Sequence, residues 1–489
     1  MTYHLPAWVF LIPFVTAISI PLVALKGEQR CRPLALAALC VTAVVALISL
    51  VSVLAGGEIR YAFSGWAPPV GIEWVADEVA SIMVAAACLL ALICVLYSSP
   101  LPTGPLEGRR VPYYTIVLLL VSGLVGVIYA GDLFNIFVFL EIVALAGYSL
   151  VAVPGGRALM SAFRYLLMGS LGAAFYLLGV AYFYAATGTL NIADLAQRAP
   201  GLLESKAVIG GLIFMFIGLG IKMALMPLHA WLPDAYADAP DTAAPILAGL
   251  LTKVTLLVWV RILFWVIGSG ESVRQVDVFA MVWALGVLAS VGGSVLALIQ
   301  TDLKKMFAYG GIAHVGLVLI GVGQGSHTGL TGGLFYLLND AVMQCTLFML
   351  AGILAHQYAA RTLDDLERMN ISSPWVLGAF VVAALSMVGL PPTGGFFGKW
   401  YIVLSAVESG NYLAVAAVIV TTLVTLAYFA RVLERLFRGA RKAPLVPDVE
   451  TPLSFRTAVA VLSVAIMGLG LWSDRVVNVL LDATRGLGR

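Results

Sequence analysis

Charge is what this sequence has least of: Asp, Glu, Lys and Arg make up 11% of its 489 residues, where soluble domains carry roughly 25%. With 61% hydrophobic residues, the chain holds more apolar surface than a water-facing core can bury, which excludes a soluble globular fold. The few charges nearly cancel, 28 Lys and Arg against 26 Asp and Glu for a net of +2, so nothing points to nucleic acid or an acidic partner. Cysteine is also scarce. Cys31, Cys40, Cys88, Cys94 and Cys345 are scattered through or beside apolar runs, with no CxxC pair and no histidine at ligand spacing. No metal, cofactor, cluster or disulfide framework is expected, and no flavin or quinone motif is present, so the chain carries no catalytic chemistry of its own. The start, MTYHLPAWVF, lacks the basic region of a secretory signal, and its apolar run leads to Lys26, Arg30 and Arg32 rather than a cleavage site. The first helix is therefore expected to stay in the mature protein.

What the sequence does have is apolar runs of membrane length. A helix needs about 20 apolar residues to cross the hydrocarbon layer, and about 14 such runs can be placed. The first seven lie near 7 to 25, 34 to 55, 78 to 97, 113 to 130, 133 to 153, 161 to 186 and 208 to 227. The others lie near 243 to 267, 278 to 300, 304 to 322, 329 to 355, 374 to 404, 411 to 433 and 455 to 473. The fold class is all-α, integral to the membrane. The odd-numbered connections hold 14 basic residues, Lys26, Arg30, Arg32, Arg109, Arg110, Arg157, Lys304, Lys305, Arg361, Arg368, Arg435, Arg438, Arg441 and Lys442. The even ones hold 4, Arg60, Arg198, Lys206 and Arg274. By the positive-inside rule the odd loops face the cytoplasm and both termini lie outside. The seventh loop, with Asp234, Asp238 and Asp241 and no basic residue, does not help.

Two spans read as broken. In KMALMPLHAWLPDAYADAP, Pro227 has no N–H for the carbonyl of Met223, next to Lys222; in SMVGLPPTGGFFGKW, Pro391 and Pro392 leave Met387 and Val388 in the same position, ahead of Lys399. Unpaired backbone at membrane depth is tolerated only where it is buried in protein or lines a wet cavity. Breaks at matching places in two halves mark a transporter built from inverted repeats. Taking helices 4 to 8 (113–267) and 9 to 13 (268–435) as two inverted five-helix repeats puts the breaks in helices 7 and 12. Residues 1–112 then supply helices 1 to 3, and 436–489 hold helix 14.

A charged side chain at the bilayer centre costs about 2.5–3.5 kcal/mol even on translocon scales. Lys253 stands some 11 residues into a helix whose start is marked by Asp241, Thr242 and Pro245, which puts it ~16 Å deep. Glu141 and His314 fall at similar depth, and Lys222 and Lys399 flank the breaks. Such a row suits proton transfer, because a desolvated lysine gives up a proton more readily and a nearby carboxylate opposes the loss. The alternatives are a structural ion pair, snorkelling of Lys399 to the interface, and a helix-packing role for His314. His229, beside Trp231, reads as part of a polar loop or interface belt, with an additional path or cation site shared with Asp340 and Gln344 as the alternative. Arg164, Arg261 and Arg431 read as interface anchors, and Gly292 and Gly293 as helix packing.

These segments resemble the antiporter-like family shared by Mrp-type sodium/proton antiporters, respiratory complex I and membrane-bound hydrogenases. The likeness rests on GDLFNIFVFLEIVALAGYSLVA around Glu141, TGTLNIADL, KMALMPLHAWLPDAYADAP, LTKV at Lys253, DLKKMFAYGGIAHVG and GLPPTGGFFGKW at Lys399. The resemblance implies 14 helices with two inverted five-helix repeats, a Glu141–Lys222 pair gating proton entry, Lys253 relaying, His314 bridging and Lys399 closing the path. It implies other membrane subunits of a hetero-oligomeric complex as partners, with protons and Na+ as cargo, in a bacterial or archaeal cell membrane. Length, Lys399 and the stretch GWAPPVGIEWVADEVASIM lean toward the D-type member of the Mrp antiporters, with the matching pumping subunit of complex I or a hydrogenase as the alternative. One departure stands out. Where the family usually places a histidine and, four residues on, a lysine, this sequence has Asp340 and Gln344. Glutamine does not titrate, so three readings stay open: altered conduction in the second half, a cation site at Asp340, or a scaffold that no longer pumps.

Overall fold

The computed structural model describes residues 2–98, 108–202, 205–268, 278–368, 373–442 and 452–485; Arg274 and residues 486–489 lie outside them. Among the described residues, 12 helices are long and apolar enough to cross a membrane, running from Thr2–Ala24 and Glu28–Gly56 to Tyr412–Arg438 and Leu453–Leu471. Each overlaps an expected span. The other two expected spans are interrupted rods. Lys206–Lys222 continues past a non-helical stretch as Leu232–Asp238, and Pro374–Val388 continues past another as Gly394–Glu408. Near the first break the helix already ends at Lys222, five residues before Pro227, and Ala224 turns into the left-handed region at φ 56°.

The helices that hold the expected charges form the centre. Ala244–Ile267 and His327–Tyr358 are almost wholly enclosed, whereas Thr2–Ala24 and Leu453–Leu471 turn most of their surface outward, presenting apolar side chains such as Ile18, Leu22 and Val464. Close backbone approach comes from glycine. A Cβ on Gly172 would sit 2.9 Å from the Gly218 carbonyl, and one on Gly293 would sit 2.7 Å from the Ala313 nitrogen, the small-residue contact expected where helices pack in lipid. Gly292 faces the break instead, where a Cβ would collide with the Met226 sulfur.

Several contacts occur twice. Asp132 caps Leu133–Ala152 and Asp302 caps Leu303–Val322, each accepting backbone N–H groups of the first turn. Asp132 forms an isolated antiparallel bridge with Asn191, and Asp302 forms one with Thr362. Leu133 N–H donates to Leu190 and Leu303 N–H to Arg361. Arg261 donates to the Ile128 carbonyl and Arg431 to the Leu298 carbonyl, each pair 133 residues apart.

Three expectations need correction. Arg261 is no interface anchor: its residue is 3% exposed, and it pairs with Asp77 at 3.2 Å besides holding Ile128. Arg431 likewise spends its guanidinium on a backbone carbonyl, while Arg164, largely exposed, pairs with Asp234 at 3.3 Å. Asp241 and Thr242 do not cap the helix of Lys253, which starts at Ala244 without a side-chain cap. Lys304 takes the Asp241 carboxylate at 2.5 Å, and the Thr242 carbonyl accepts from Tyr113. Hydropathy gave no sign of the antiparallel hairpin Ile59–Ala62 with Glu73–Ala76, the short helix Ile192–Arg198, or the amphipathic helix Ser473–Arg485.

Candidate functional site

Lys222 is the last helical residue before the first break, and its Nζ donates to Glu141 Oε1 at 2.8 Å. The lysine is nearly buried, while the Glu141 side chain is 30% exposed on the outer face of Leu133–Ala152. The freed backbone is partly claimed: the Trp231 indole donates to the Ile221 carbonyl at 2.9 Å. His229 lies in the same break with its ring edge-on to Tyr309, centroids 6.0 Å apart, and its Nδ1 buried without a partner among the described residues. The structure does not join it to the charged row.

Lys253 stands two residues past a π-helical turn, Leu247–Leu251, a widened turn of the kind often found at functional sites. Its Nζ donates to the Ala248 carbonyl at 2.9 Å and to Asp340 Oδ2 at 2.9 Å. The other oxygen of Asp340 meets His314 Nδ1 at 2.7 Å. Lys253, Asp340 and His314 are each no more than 3% exposed. Asp340, which the sequence placed beside the path, is thus the residue that ties two of the five expected groups together. Each of its oxygens already carries one partner, Lys253 on Oδ2 and His314 on Oδ1.

Among the described residues Lys399 makes no ion pair with a carboxylate. Its Nζ donates to the Met387 and Val388 carbonyls at 2.9 Å each, the two groups that Pro391 and Pro392 cannot serve, and to Thr422 Oγ1 at 3.3 Å. Thr422 was not foreseen, since nothing in its apolar helix marks it. Gln344 lies one turn beyond Asp340 on the same helix, 1% exposed, with Nε2 lacking a partner among the described residues.

Two cavities among the described residues lie on opposite sets of connections. One of about 360 Å³ is bordered by Arg157, Asp238, Asp241, Lys304, Lys305 and Arg361, from odd-numbered connections. The other, about 330 Å³, is bordered by Glu58, Arg60, Glu73 and Asp77 of the second connection and by Glu78 and Arg261 at helix ends beside it. The acidic seventh loop is neutralised by its neighbours, Asp234 by Lys305 at 2.7 Å and Asp238 by Arg157 at 3.5 Å. Among the described residues no group of three or more His, Cys, Asp or Glu is arranged to hold a metal ion.

Residues 130–425, which contain Glu141, Lys222, Lys253, His314, Asp340 and Lys399, match the family described as NADH:quinone oxidoreductase/Mrp antiporter, TM. The chain is 39% identical over 492 residues to NADH-quinone oxidoreductase subunit N of Desulforudis audaxviator, covering 98% of both chains. It is 28% identical to antiporter subunit mnhD2 of Staphylococcus aureus, over 97% of this chain and 94% of that one. A chain of the membrane-bound sulfane sulfur reductase, an archaeal respiratory membrane complex, superposes with a TM-score of 0.92 at 26% identity, over 99% of this chain and 98% of its own. This chain is therefore a multi-pass membrane subunit that belongs to the NADH:quinone oxidoreductase/Mrp antiporter family.

Proposed function

We propose that the chain moves protons across the membrane along Glu141, Lys222, Lys253, Asp340, His314 and Lys399, as one subunit of a multi-subunit complex. The observation that carries this reading is the repetition of an enclosed base beside a carboxylate: Lys222 on Glu141 at 2.8 Å and Lys253 on Asp340 at 2.9 Å. Buried ion pairs add little to stability once desolvation is counted, and ionisable groups at this depth mark function. In each pair the nearby carboxylate opposes loss of the lysine's proton, and the lysine hands that proton on when the pair parts. His314, bonded to Asp340 through Nδ1, leaves Nε2 for a donor or acceptor on the far side. Lys399 rests on neutral dipoles and gives the row a terminus that can shed its charge without leaving a carboxylate behind.

The repeated caps, bridges and arginine contacts support a division into two inverted five-helix units, 113–267 and 268–435. The 14-to-4 distribution of basic residues supports termini on the outer side, which reporter fusions at both ends would test. Two driving forces fit the same path. Exchange against a monovalent cation such as Na+ is the first reading, in line with the antiporter relative at 28% identity. Coupling to electron transfer in partner subunits is the second, favoured by the 39% identity to a quinone oxidoreductase subunit.

Inside-out vesicles carrying the assembled complex test both points. Glu141→Ala and Lys222→Ala are expected to abolish proton movement, a loss of about 100-fold or more, with assembly intact because packing of the fold is mainly apolar. An assembled variant that still transports at the wild-type rate contradicts the path. Acidification driven by NADH, insensitive to a Na+ gradient, selects the redox reading, and the reverse selects exchange.

A further inference from the structure

The two acid–base pairs are separated by the first helix break, and the groups found there form a site. A cavity of about 10 Å³ is bordered by Met223, Thr252, Lys253, Gly311 and Gln344, about the volume one water needs. Met223 is the first residue past Lys222, and its carbonyl is the one Pro227 cannot serve. Lys253 brings the ammonium that already holds Asp340 and Ala248. Gln344 brings a buried amide N–H with no partner among the described residues, which is unfavourable if left unmet. Gly311 makes room for that amide, since a Cβ there would come within 3.2 Å of Gln344 Nε2.

We propose that Gln344 is a positioning residue that holds a water molecule in this cavity against Lys253, on the side facing the Met223 break. The inference deepens the path proposed above and rests on it. The water accepts from Gln344 Nε2 and donates to the Met223 carbonyl, which leaves one hydrogen and one lone pair to exchange with Lys253. In the transfer toward Lys253, an O–H bond of the protonated water breaks and an N–H bond forms on the neutral amine, so charge moves with the proton and no other reactant is needed. A glutamine suits this task because it donates and accepts but does not keep the proton. Lys253 thereby has two exchange partners on different sides: Asp340 toward His314, and the water toward the Glu141–Lys222 pair. A relay needs both, and Asp340 alone supplies only one.

The test uses the whole complex. Gln344→Leu keeps the length but removes the donor, and it is expected to slow proton translocation about ten-fold or more, with Gln344→Asn recovering most of the rate because a shorter amide still binds water. Gly311→Ala, which pushes on the amide, is expected to fall between wild type and Gln344→Leu. A wild-type rate in assembled Gln344→Leu overturns the proposal, as does an Asn variant as slow as the Leu variant. Should Gln344→Leu not assemble, a cryo-EM map of the wild-type complex fine enough for waters decides. Density within hydrogen-bond distance of Gln344 Nε2 and Lys253 Nζ supports the site, and none there overturns it. Transport that survives Glu141→Ala defeats the path itself, whereas a dead Glu141→Ala beside a fully active Gln344→Leu defeats only the water site.

Discussion

The two broken helices solve the same problem with different chemistry. At the first, Lys222 turns away from the interrupted backbone to a carboxylate, Glu141, and an indole from Trp231 takes the carbonyl of Ile221. At the second, Lys399 turns into the break and binds the two carbonyls that the proline pair leaves unserved, with Thr422 as a third acceptor. The first arrangement pins a charge until the carboxylate moves. The second offers only partial charges, so the lysine there is held by geometry more than by an opposite ion. The arginine contacts differ in the same sense: Arg261 holds Ile128 and also Asp77, while Arg431 holds the Leu298 carbonyl. The row begins at its first break on an ion pair and ends at its second break on dipoles.

Breaking that contrast at Glu141 is expected to have the largest effect on transport, as described above. Next comes Asp340→Asn, which keeps the shape but removes the charge shared by Lys253 and His314; proton movement should slow about 10- to 100-fold with the complex assembled, and an unchanged initial rate of dye quenching would return Asp340 to a structural role. Thr422→Val takes away one of three neutral acceptors and should cost Lys399 no more than about 5-fold, since two carbonyls remain. A loss as deep as that of Glu141→Ala would erase the distinction between the two breaks. On stability the order is the same. Arg261→Met leaves Asp77 without its buried partner and should cost about 3–5 kcal/mol, against about 1.5–3 kcal/mol for Arg431→Met, which loses a hydrogen bond from a charged donor. Thermal unfolding of the two purified variants checks the ranking, and equal losses would refute it.

Span positions were legible because the bilayer imposes one requirement, length of apolar chain, that hydropathy reads directly; the run expected at 78 to 97 is the helix Glu78–Tyr97. The breaks were legible because proline lacks an N–H, and Lys399 sits on the two carbonyls named from sequence. Partnerships across the fold were not. Lys253 and Asp340 are far apart in the chain, and no local pattern says that their helices face each other, so Asp340 read as a departure instead of a link. Arg261 failed for the same reason: near the end of an apolar span an arginine looks ready to reach the interface, and only the fold brings Asp77 and Ile128 to it. The π turn before Lys253 leaves no trace in composition, since LAGLL would serve an α-helix as well.

The central claim is that Lys222 acts by giving up a proton, and Lys222→Arg tests it most directly. Arginine keeps the positive charge and can still pair with Glu141, but with a pKa above about 12 it does not release a proton in the working range. Proton translocation measured in vesicles with the assembled variant should fall nearly as far as in Lys222→Ala. A rate near wild type would show that the site needs only a charge beside Glu141, and would contradict the account even if both alanine variants were inactive.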